Sequence, residues 1–297
     1  MNAHPKTAAL TDTIYAKPPS SETAHRLVAA ANSLLQHFET GKPIDAKTLR
    51  TTMEDAFSAS DTNGAWVWKD AYDAVEIAQI MMIARYGALM RKQAASPAQF
   101  LSMVERLSAL APSHTRRSED SVRLQQFSTP LPLAAIVAEA AGFRATDLVL
   151  EPSAGTGMLA VFGQIAGAVI ALNELAEVRR GVLRSLFANA LVSGHDAASI
   201  DDRLNRAITP SVIVMNPPFH DGRDADPRLG AAFIASAARL LTGAGRLWMV
   251  ANRHLPYEAA LARHFAQVTE TGGDARFKII EASGARRGTR RMQGKRG

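Results

Sequence analysis

The chain has 297 residues, of which 47% are hydrophobic and 21% charged, so it can form a packed core and general disorder is excluded. It contains no cysteine, which excludes disulfides, thiolate zinc sites and cysteine nucleophiles. The formal net charge is +6, and the last 13 residues hold six basic and no acidic side chains. This basic tail, residues 285–297, is typical of an arm that contacts nucleic-acid phosphates, although a tail that only aids solubility has the same composition.

Residues 1–20 contain three prolines and no long apolar core, so they are predicted to be a flexible leader rather than a secretory signal. No apolar run in the chain reaches the roughly 18 residues that a membrane-spanning helix needs. We therefore expect a cytoplasmic protein that does not insert into membranes.

Residues 21–120 are predicted to form a small helical domain followed by a linker. Apolar residues recur at helical spacing from Leu27 to Phe38, in a segment with Ser21 as its expected cap. A long second helix is predicted over residues 66–93, and a third begins at Ser96-Pro97, a pair typical of a helix start. The stretch APSHTRRSED then predicts a linker.

Residues 121–284 alternate between strands and helices, which predicts an α/β domain with a mostly parallel sheet. Apolar strands are predicted in DLVLE, AVIALNEL, SVIVM and RLWMVAN, and residues 176–192 are predicted to be one helix that ends at Gly194. The last two strands, in QVTETGG and ARFKIIEA, have no helix between them. They are expected to pair as a hairpin and to place an antiparallel strand at the edge of the sheet.

The first chemical motif, EPSAGTG, follows the first apolar strand and precedes a helix. Gly155 and Gly157 would let the backbone approach a ligand closely, since ligands of open α/β sheets bind beyond the strand ends. Glu174, 19 residues after Gly155, follows the second strand, where a carboxylate typically accepts hydrogen bonds from ribose hydroxyls. Glu151 would repel a pyrophosphate but suits the ammonium group of a methionine moiety. A plain strand–helix turn is the alternative.

The second motif, Asn216-Pro217-Pro218-Phe219, directly follows the apolar strand VIVM. The prolines fix the chain and remove N–H donors, which leaves carbonyl groups free to face a cavity. An exocyclic amino group is a poor nucleophile, and the Asn216 side-chain oxygen and the Pro217 carbonyl can each accept one of its hydrogens. Phe219 can stack on the base, which contributes about 1–3 kcal/mol in comparable contacts. The motif predicts transfer to an amino nitrogen by positioning, without a metal. A strand simply ended by proline is the alternative.

EPSAGTG followed by NPPF resembles the class I methyltransferases that modify amino nitrogens with S-adenosylmethionine as cofactor. The resemblance implies a seven-stranded, Rossmann-like α/β sheet with a last antiparallel strand, preceded here by the small helical domain. The segment FSTP is similar to the F-x-T-P element of amino-methylating DNA adenine methyltransferases, which implies that Phe127, Thr129 and Pro130 line the methionine end of the cofactor. Asp196, where a third strand is expected to end, would accept from the cofactor's adenine amino group. A loop cap is the alternative.

Two parts of the chain resemble two more specific families, and these parts overlap at NPPF. Residues 20–219 resemble the methylase part of strawberry-notch-type methylase–helicase proteins, whereas residues 213–282 resemble small-domain ribosomal RNA guanine-N2 methyltransferases. The loop after NPPF faces the target in such folds, so the second resemblance favours guanine-N2 of ribosomal RNA, with adenine-N6 of DNA as the alternative. In both, the partner is nucleic acid and the base must be flipped out of its helix.

Two alternatives from other classes stay open. A catalytically inactive nucleic-acid-binding subunit would keep the fold, although the intact glycine and NPPF motifs argue against it. A methyltransferase of small molecules or of protein glutamine can share the N-P-P signature, and the basic tail argues weakly against that.

Overall fold

The computed structural model describes residues 20–112, 129–205, 207–217, 220–221, 224–225 and 227–286. Residues 20–112, here called the helical segment, contain no strand among them, as predicted. Asp45 caps one helix by accepting from the Thr48 N–H at 2.7 Å, and Ser96 caps another by accepting from the Gln99 N–H at 3.2 Å. The helices are α1 (Ser20–Glu39), α2 (Ala46–Phe57), α3 (Trp68–Gln93) and α4 (Pro97–Ser108), with a 3-10 turn at Asp61–Asn63.

The helix α2 is not among the predicted elements. Its buried side chains are Leu49, Met53 and Phe57, which recur only once per turn. Such a narrow apolar stripe gives a weak periodic signal in the sequence, so the helix is recognised only from its packing in the folded chain.

The rest of the chain alternates between strands and helices, as predicted. The strands are β1 (Leu148–Glu151), β2 (Val169–Asn173), β3 (Leu191–Ser193), β4 (Val212–Met215), β5 (His220–Asp221), β6 (Asp224–Ala225), β7 (Arg246–Asn252), β8 (Phe265–Gly273) and β9 (Phe277–Ala285). The helices are α5 (Leu131–Ala141), α6 (Ala160–Ile165), α7 (Glu177–Leu186), α8 (Ile200–Arg203), α9 (Pro227–Leu240) and α10 (Glu258–His264), with a 3-10 turn at Ala197–Ser199.

Seven of these strands form one sheet in the order β3-β2-β1-β4-β7-β9-β8, which confirms the predicted fold class. The pairs from β3 to β7 are parallel, and β9 is antiparallel to both β7 and β8. The predicted hairpin is therefore present, but its antiparallel strand is not the edge strand. Strand β9 lies inside the sheet, and its apolar residues Ile279, Ile280 and Ala282 are buried there. Strand β8 forms the edge and is exposed along most of its length.

The prediction of one helix over residues 176–192 is wrong. The helix α7 ends at Leu186, and Phe187 leaves the helical conformation with φ −120° and ψ 66°. Leu191–Ser193 then form β3, which pairs with β2 at the other edge of the sheet. A three-residue edge strand is too short to contain the continuous apolar run that identifies a strand. Its two apolar residues instead look like a continuation of the helical pattern of α7, which explains the wrong prediction.

An apolar core lies on each face of the sheet, because side chains alternate between faces along a strand. One core joins strands β1, β2, β4 and β7 to α5, α6 and α7, and it also contains buried residues of all four helices of the helical segment. The other core lies under α9 and α10. Within the first core α1 contacts α7, α3 contacts α6 and α4 contacts α5. The helical segment is therefore packed onto the face of the sheet that carries these helices.

The predicted domain limits fall partly on residues outside the described ones. Residues 113–128, where the limit at 120 is placed, and the leader 1–19 lie outside them. Of the predicted basic tail, Ala285 ends β9 and the Arg286 N–H donates to the His264 carbonyl at 2.8 Å, while residues 287–297 lie outside. In the part of the chain that is described, no helix is long and apolar enough to cross a membrane.

Candidate active site

The carboxyl ends of β1, β2 and β4 lie side by side, because these three strands are parallel neighbours in the sheet. Glu151 ends β1 and is followed by the glycine loop, residues 152–159. Glu174 directly follows β2, and Asn216-Pro217 directly follow β4. The structure thus brings the two predicted motifs and the predicted ribose carboxylate to one edge of the sheet, where ligands of open α/β folds bind.

The glycine loop has a backbone that only glycine adopts readily. Gly155 has φ +57° and Gly157 has φ +101°, both in the left-handed region. A Cβ on Gly157 would lie 2.5 Å from the ring of Phe187, so that position also excludes a side chain for lack of space. At Gly155 the nearest atom to such a Cβ is the Arg179 Nη1 at 3.7 Å, so conformation is the constraint there.

The carboxylate of Glu174 holds the glycine loop. Its Oε2 accepts from the Gly155 N–H at 2.8 Å, and its Oε1 accepts from the Ala176 N–H at 2.8 Å. Each carboxylate oxygen has a second lone pair, so Glu174 keeps the capacity to accept hydrogen bonds from hydroxyl groups of a ligand. The 19-residue spacing in the sequence corresponds here to a direct contact between the two predicted groups.

Glu151 is a buried carboxyl, with 3% of its surface exposed. Its Oε2 accepts from the Ala160 N–H at 3.0 Å. Burial raises the pKa of Glu151 well above its usual range, the Ala160 N–H opposes this in part, and the negative charges of Glu76 and Glu174 add to it. The floor of the loop therefore has a negative potential that favours a cation.

Asn216 is fixed by Thr129. The Asn216 Nδ2 donates to the Thr129 Oγ1 at 3.2 Å, and Thr129 is buried with 6% of its surface exposed. This bond fixes the orientation of the amide group, whose acceptor atom is the Oδ1 of Asn216. Thr129 is predicted to line the methionine end of a cofactor, and the structure places it beside Asn216, while Pro130 directly precedes α5 and Pro217 is buried.

Three other predicted site residues have different outcomes. Asp196 follows β3 as predicted, and its Oδ1 accepts from the Ala198 N–H at 2.9 Å, so it caps the 3-10 turn. A contact from Asp196 to a cofactor adenine stays a prediction. Phe127 and Phe219 lie outside the described residues.

Asn173 is a site residue that the sequence analysis does not find. It is buried, and its Nδ2 donates to the carbonyls of Pro152 at 2.9 Å and His195 at 2.8 Å. Its Oδ1 accepts from the His195 N–H at 2.8 Å and the Ser193 Oγ at 2.9 Å. Asn173 thereby joins the ends of β1, β2 and β3. An asparagine as the last residue of an apolar strand is the only sequence signal for this role.

The residues present fit S-adenosylmethionine. Glu151 suits an ammonium group, and Glu174 suits ribose hydroxyls next to a loop with little side-chain bulk at Gly155. The Ser153 Oγ is buried and has no hydrogen-bond partner in the described part of the chain, so a polar ligand group would satisfy it. Among the same residues, no group of three or more His, Asp or Glu side chains could hold a metal ion.

Most of the residues of this site lie in a range of the chain that is similar to known methyltransferases. Residues 135–281 match the family model described as Methyltransferase small domain. The ribosomal RNA small subunit methyltransferase C of Chromohalobacter salexigens is 32% identical over 152 residues, which are 51% of this chain and 45% of that protein. The protein of the same name from Shewanella halifaxensis is 42% identical over 67 residues, 23% of this chain and 20% of that protein. The chain thus spans less than half the length of these relatives.

Among solved structures, the T. thermophilus 16S rRNA N2 methyltransferase in complex with AdoMet and guanosine is similar, with 27% identity and a TM-score of 0.45. The match covers 53% of this chain and 43% of that one. The strand order and the family match together confirm the predicted class I methyltransferase fold and the resemblance to small-domain methyltransferases. The helical segment precedes residue 135 and lies outside the matched range.

The raised pKa of Glu151 predicts a stability effect that depends on pH. The folded state binds the Glu151 proton more tightly than the unfolded chain, where a glutamate ionises near pH 4.3. This contribution to stability is therefore complete below that pH and is lost as pH rises through the folded pKa. Glu151→Gln stays neutral, and its amide oxygen can still accept from the Ala160 N–H. The stability of the variant relative to the natural protein should rise with pH, by about 1.4 kcal/mol per unit of raised pKa.

Urea unfolding of the ligand-free proteins at several pH values between 4 and 8 measures this difference. A difference that is constant across the range would contradict the assignment of a proton to Glu151.

Proposed function

We propose that this chain, which contains a methyltransferase small domain at residues 135–281, is an S-adenosylmethionine-dependent N-methyltransferase acting on guanine N2 of ribosomal RNA. The observation that carries the proposal is the Asn216 amide, fixed by Thr129 at the end of β4 and next to the glycine loop that ends β1. We propose the cytoplasm as its location, with RNA as its partner.

The chemistry requires an amino group to become a nucleophile. Its lone pair is delocalised into the ring, and two hydrogen-bond acceptors that take both amino hydrogens favour a pyramidal nitrogen with its lone pair available. The Oδ1 of Asn216 is one acceptor, oriented because its Nδ2 is bound to Thr129. The Pro217 carbonyl is the proposed second one. Preorganised acceptors of this kind stabilise the transition state without reorganisation during the reaction.

S-adenosylmethionine, when bound, supplies a methyl group on a sulfonium. Glu151 would hold the methionine ammonium, Glu174 the ribose hydroxyls, and Asp196 the adenine amino group. Phe219 would stack on the flipped base, and Phe127, Thr129 and Pro130 would border the methionine end. As the bond between the amino nitrogen and the methyl carbon forms, the bond between that carbon and the sulfur breaks, and the sulfur keeps the electron pair as a neutral thioether. The amino nitrogen loses one proton to solvent, so no residue of the chain has to act as a strong base.

Two segments that resemble guanine-N2 methyltransferases border this edge and are joined to each other. Arg253, after β7, donates from Nε to the Asp274 carbonyl at 2.9 Å and from Nη2 to the Phe277 carbonyl at 3.1 Å. The Lys278 Nζ donates to the Leu255 carbonyl at 2.7 Å. The loop after β7 is thereby tied to the β8–β9 hairpin. This shared unit supports a guanine target, together with the names of the relatives, over the adenine-N6 alternative.

The first prediction from the proposed function concerns the cofactor. Isothermal calorimetry should show that the protein binds S-adenosylmethionine in the presence of a metal chelator. Glu174→Ala should weaken binding by about 10- to 150-fold, because charge-assisted hydrogen bonds of roughly 1.5–3 kcal/mol are lost. The exposed Glu177 in the first turn of α7 provides the control, and Glu177→Ala should bind normally. Equal affinities of the two variants would remove Glu174 from the site, and no binding by the natural protein would contradict the proposed cofactor.

The second prediction concerns turnover. Asn216→Ala should keep cofactor affinity but lower single-turnover methyl transfer by about 100-fold or more, because its contact strengthens only in the transition state. Asn216→Asp keeps an acceptor oxygen and should retain part of the rate. Labelled cofactor with separate ribosomal RNA, DNA and protein fractions, followed by nucleoside analysis, identifies the product. N2-methylguanosine would support the proposal, N6-methyladenine in DNA would favour the alternative, and near-normal transfer by Asn216→Ala would contradict the mechanism.

The third prediction concerns the basic tail. Deletion of residues 287–297 removes five of its six basic residues and leaves β9 intact, because that strand ends at Ala285. RNA affinity should fall, and the log–log slope of its salt dependence should flatten by up to about 0.7–0.9 for each phosphate that the tail neutralises in the natural protein. Filter binding over a range of salt concentrations measures the slope. Equal slopes with and without the tail would indicate that it serves solubility only.

A further inference from the structure

The middle of α3 presents two buried acidic side chains beneath the glycine loop. Asp73 and Glu76 are three residues apart, so they lie on the same face of the helix. They are 5% and 9% exposed. Both belong to the helical segment, which lies outside the range matched by the methyltransferase family model.

Glu76 holds the loop through Thr156. The Thr156 hydroxyl donates to the Glu76 Oε1, and Thr156 is almost fully buried. Thr156 lies between Gly155 and Gly157, whose left-handed backbone the loop needs in order to turn beneath a ligand. A buried hydrogen bond at this position fixes the only side chain between the two glycines.

Asp73 binds Arg179, a residue of α7 whose guanidinium lies beside the loop. The Arg179 Nη2 and Nε donate to the two Asp73 oxygens at 2.8 and 3.3 Å, and Lys69 donates to Asp73 at 2.7 Å. Burial works to raise the pKa of Asp73, but Arg179 and Lys69 outweigh it and hold the pKa below its usual range. The pair is therefore charged. The Arg179 Nη1 lies 3.7 Å from where a Cβ of Gly155 would be, so the guanidinium lies directly beside the loop.

Charged side chains from several elements meet around the loop. The carboxyl groups of Asp73, Glu76, Glu151 and Glu174 lie there with the cations Lys69 and Arg179, and the Arg180 guanidinium donates to the Glu174 backbone carbonyl at 2.9 Å. A buried ionic network of this kind is weak evidence for a stabilising role, because apolar replacements of such networks are often as stable. The negative charges of Glu76 and Glu174 help to raise the pKa of Glu151, so a cation bound at the proposed cofactor loop would favour the ionised form of Glu151.

We infer that α3 is part of the cofactor site, with Glu76 and Asp73 as positioning residues that hold the glycine loop from beneath, Glu76 through Thr156 and Asp73 through Arg179. This inference rests on the proposed function, because it assigns the loop to S-adenosylmethionine. It makes the helical segment a component of the cofactor site and not only a separate attachment.

The test compares four full-length variants with the natural protein. Glu76→Ala removes the acceptor, Glu76→Gln keeps an acceptor oxygen, and Thr156→Val removes the hydroxyl from the other side. Met53→Ala is the matched control, because it leaves a cavity in the same helical segment but at a residue of α2 that has no polar contact with the loop. Amide hydrogen exchange of peptides covering residues 152–160, without cofactor, measures how firmly the loop is held. Calorimetry with S-adenosylmethionine measures the consequence for binding.

We expect Glu76→Ala and Thr156→Val to speed exchange in these peptides and to weaken cofactor binding, each by about tenfold or more. Glu76→Gln should stay close to the natural protein, and Met53→Ala should lower stability without a local change in the loop. The double variant Glu76→Ala/Thr156→Val should be no worse than either single one, since both remove the same bond.

Unchanged loop exchange in both Glu76→Ala and Thr156→Val would overturn the inference, as would an equal effect of Met53→Ala. A loosened loop with unchanged cofactor affinity would also overturn it. If the natural protein binds no S-adenosylmethionine, the proposed function fails, while the exchange data still decide whether Glu76 positions the loop.

Discussion

The glycine loop between β1 and α6 is held by carboxylates that reach it from three elements. Glu174 accepts from the Gly155 N–H, Glu151 from the Ala160 N–H, and Glu76 from the Thr156 hydroxyl. The bonds of Glu174 and Glu76 fix the loop itself, whose backbone is left-handed at two glycines, and the bond of Glu151 fixes the start of α6 directly after the loop. The position of the loop depends on these hydrogen bonds, because its two glycines have no side chains that could hold it in place.

The same carboxylates set the electrostatic character of the site. Buried acidic groups are costly to ionise without a partner, and burial accordingly raises the pKa of Glu151. Arg179 is buried as well, but it stays charged. Burial lowers its pKa, but Asp73, Glu76 and Glu174 outweigh that effect and raise the pKa above its usual range. The result is a polar layer between the helical segment and the sheet, with a negative potential at the loop. The helical segment therefore contributes both apolar packing and charge to the neighbourhood of the proposed cofactor.

The position of Asn216, the residue proposed to bind the target, is set by its place at a strand end and by one hydrogen bond. Asn216 follows β4 next to the loop of β1, and its amide orientation is fixed by one hydrogen bond to Thr129, 87 residues earlier in the chain. The loop after β7 and the β8–β9 hairpin are joined by Arg253 and Lys278 and form a second wall of the same edge. In the proposed function, the cofactor would be supported from the β1–β2 side of the sheet and the target would be selected from the β7–β9 side.

Local patterns in the sequence were enough to specify the α/β class, the hairpin and the places of the two motifs, because glycine, proline and apolar runs act on neighbouring residues. The spacing of Gly155 and Glu174 was enough to place them at neighbouring strand ends, since consecutive parallel strands bring their ends together, but their direct hydrogen bond became visible only in the structure. The inner position of β9, the short strand β3 and the helix α2 depended on packing against distant residues, so local patterns misplaced or missed them. The roles of Asn173, Asp73, Glu76 and Arg179 became visible only in the folded chain. Their partners lie about 20 to more than 100 residues away, and a carboxylate on a helix has no sequence signal that tells a buried partner from a solvated face.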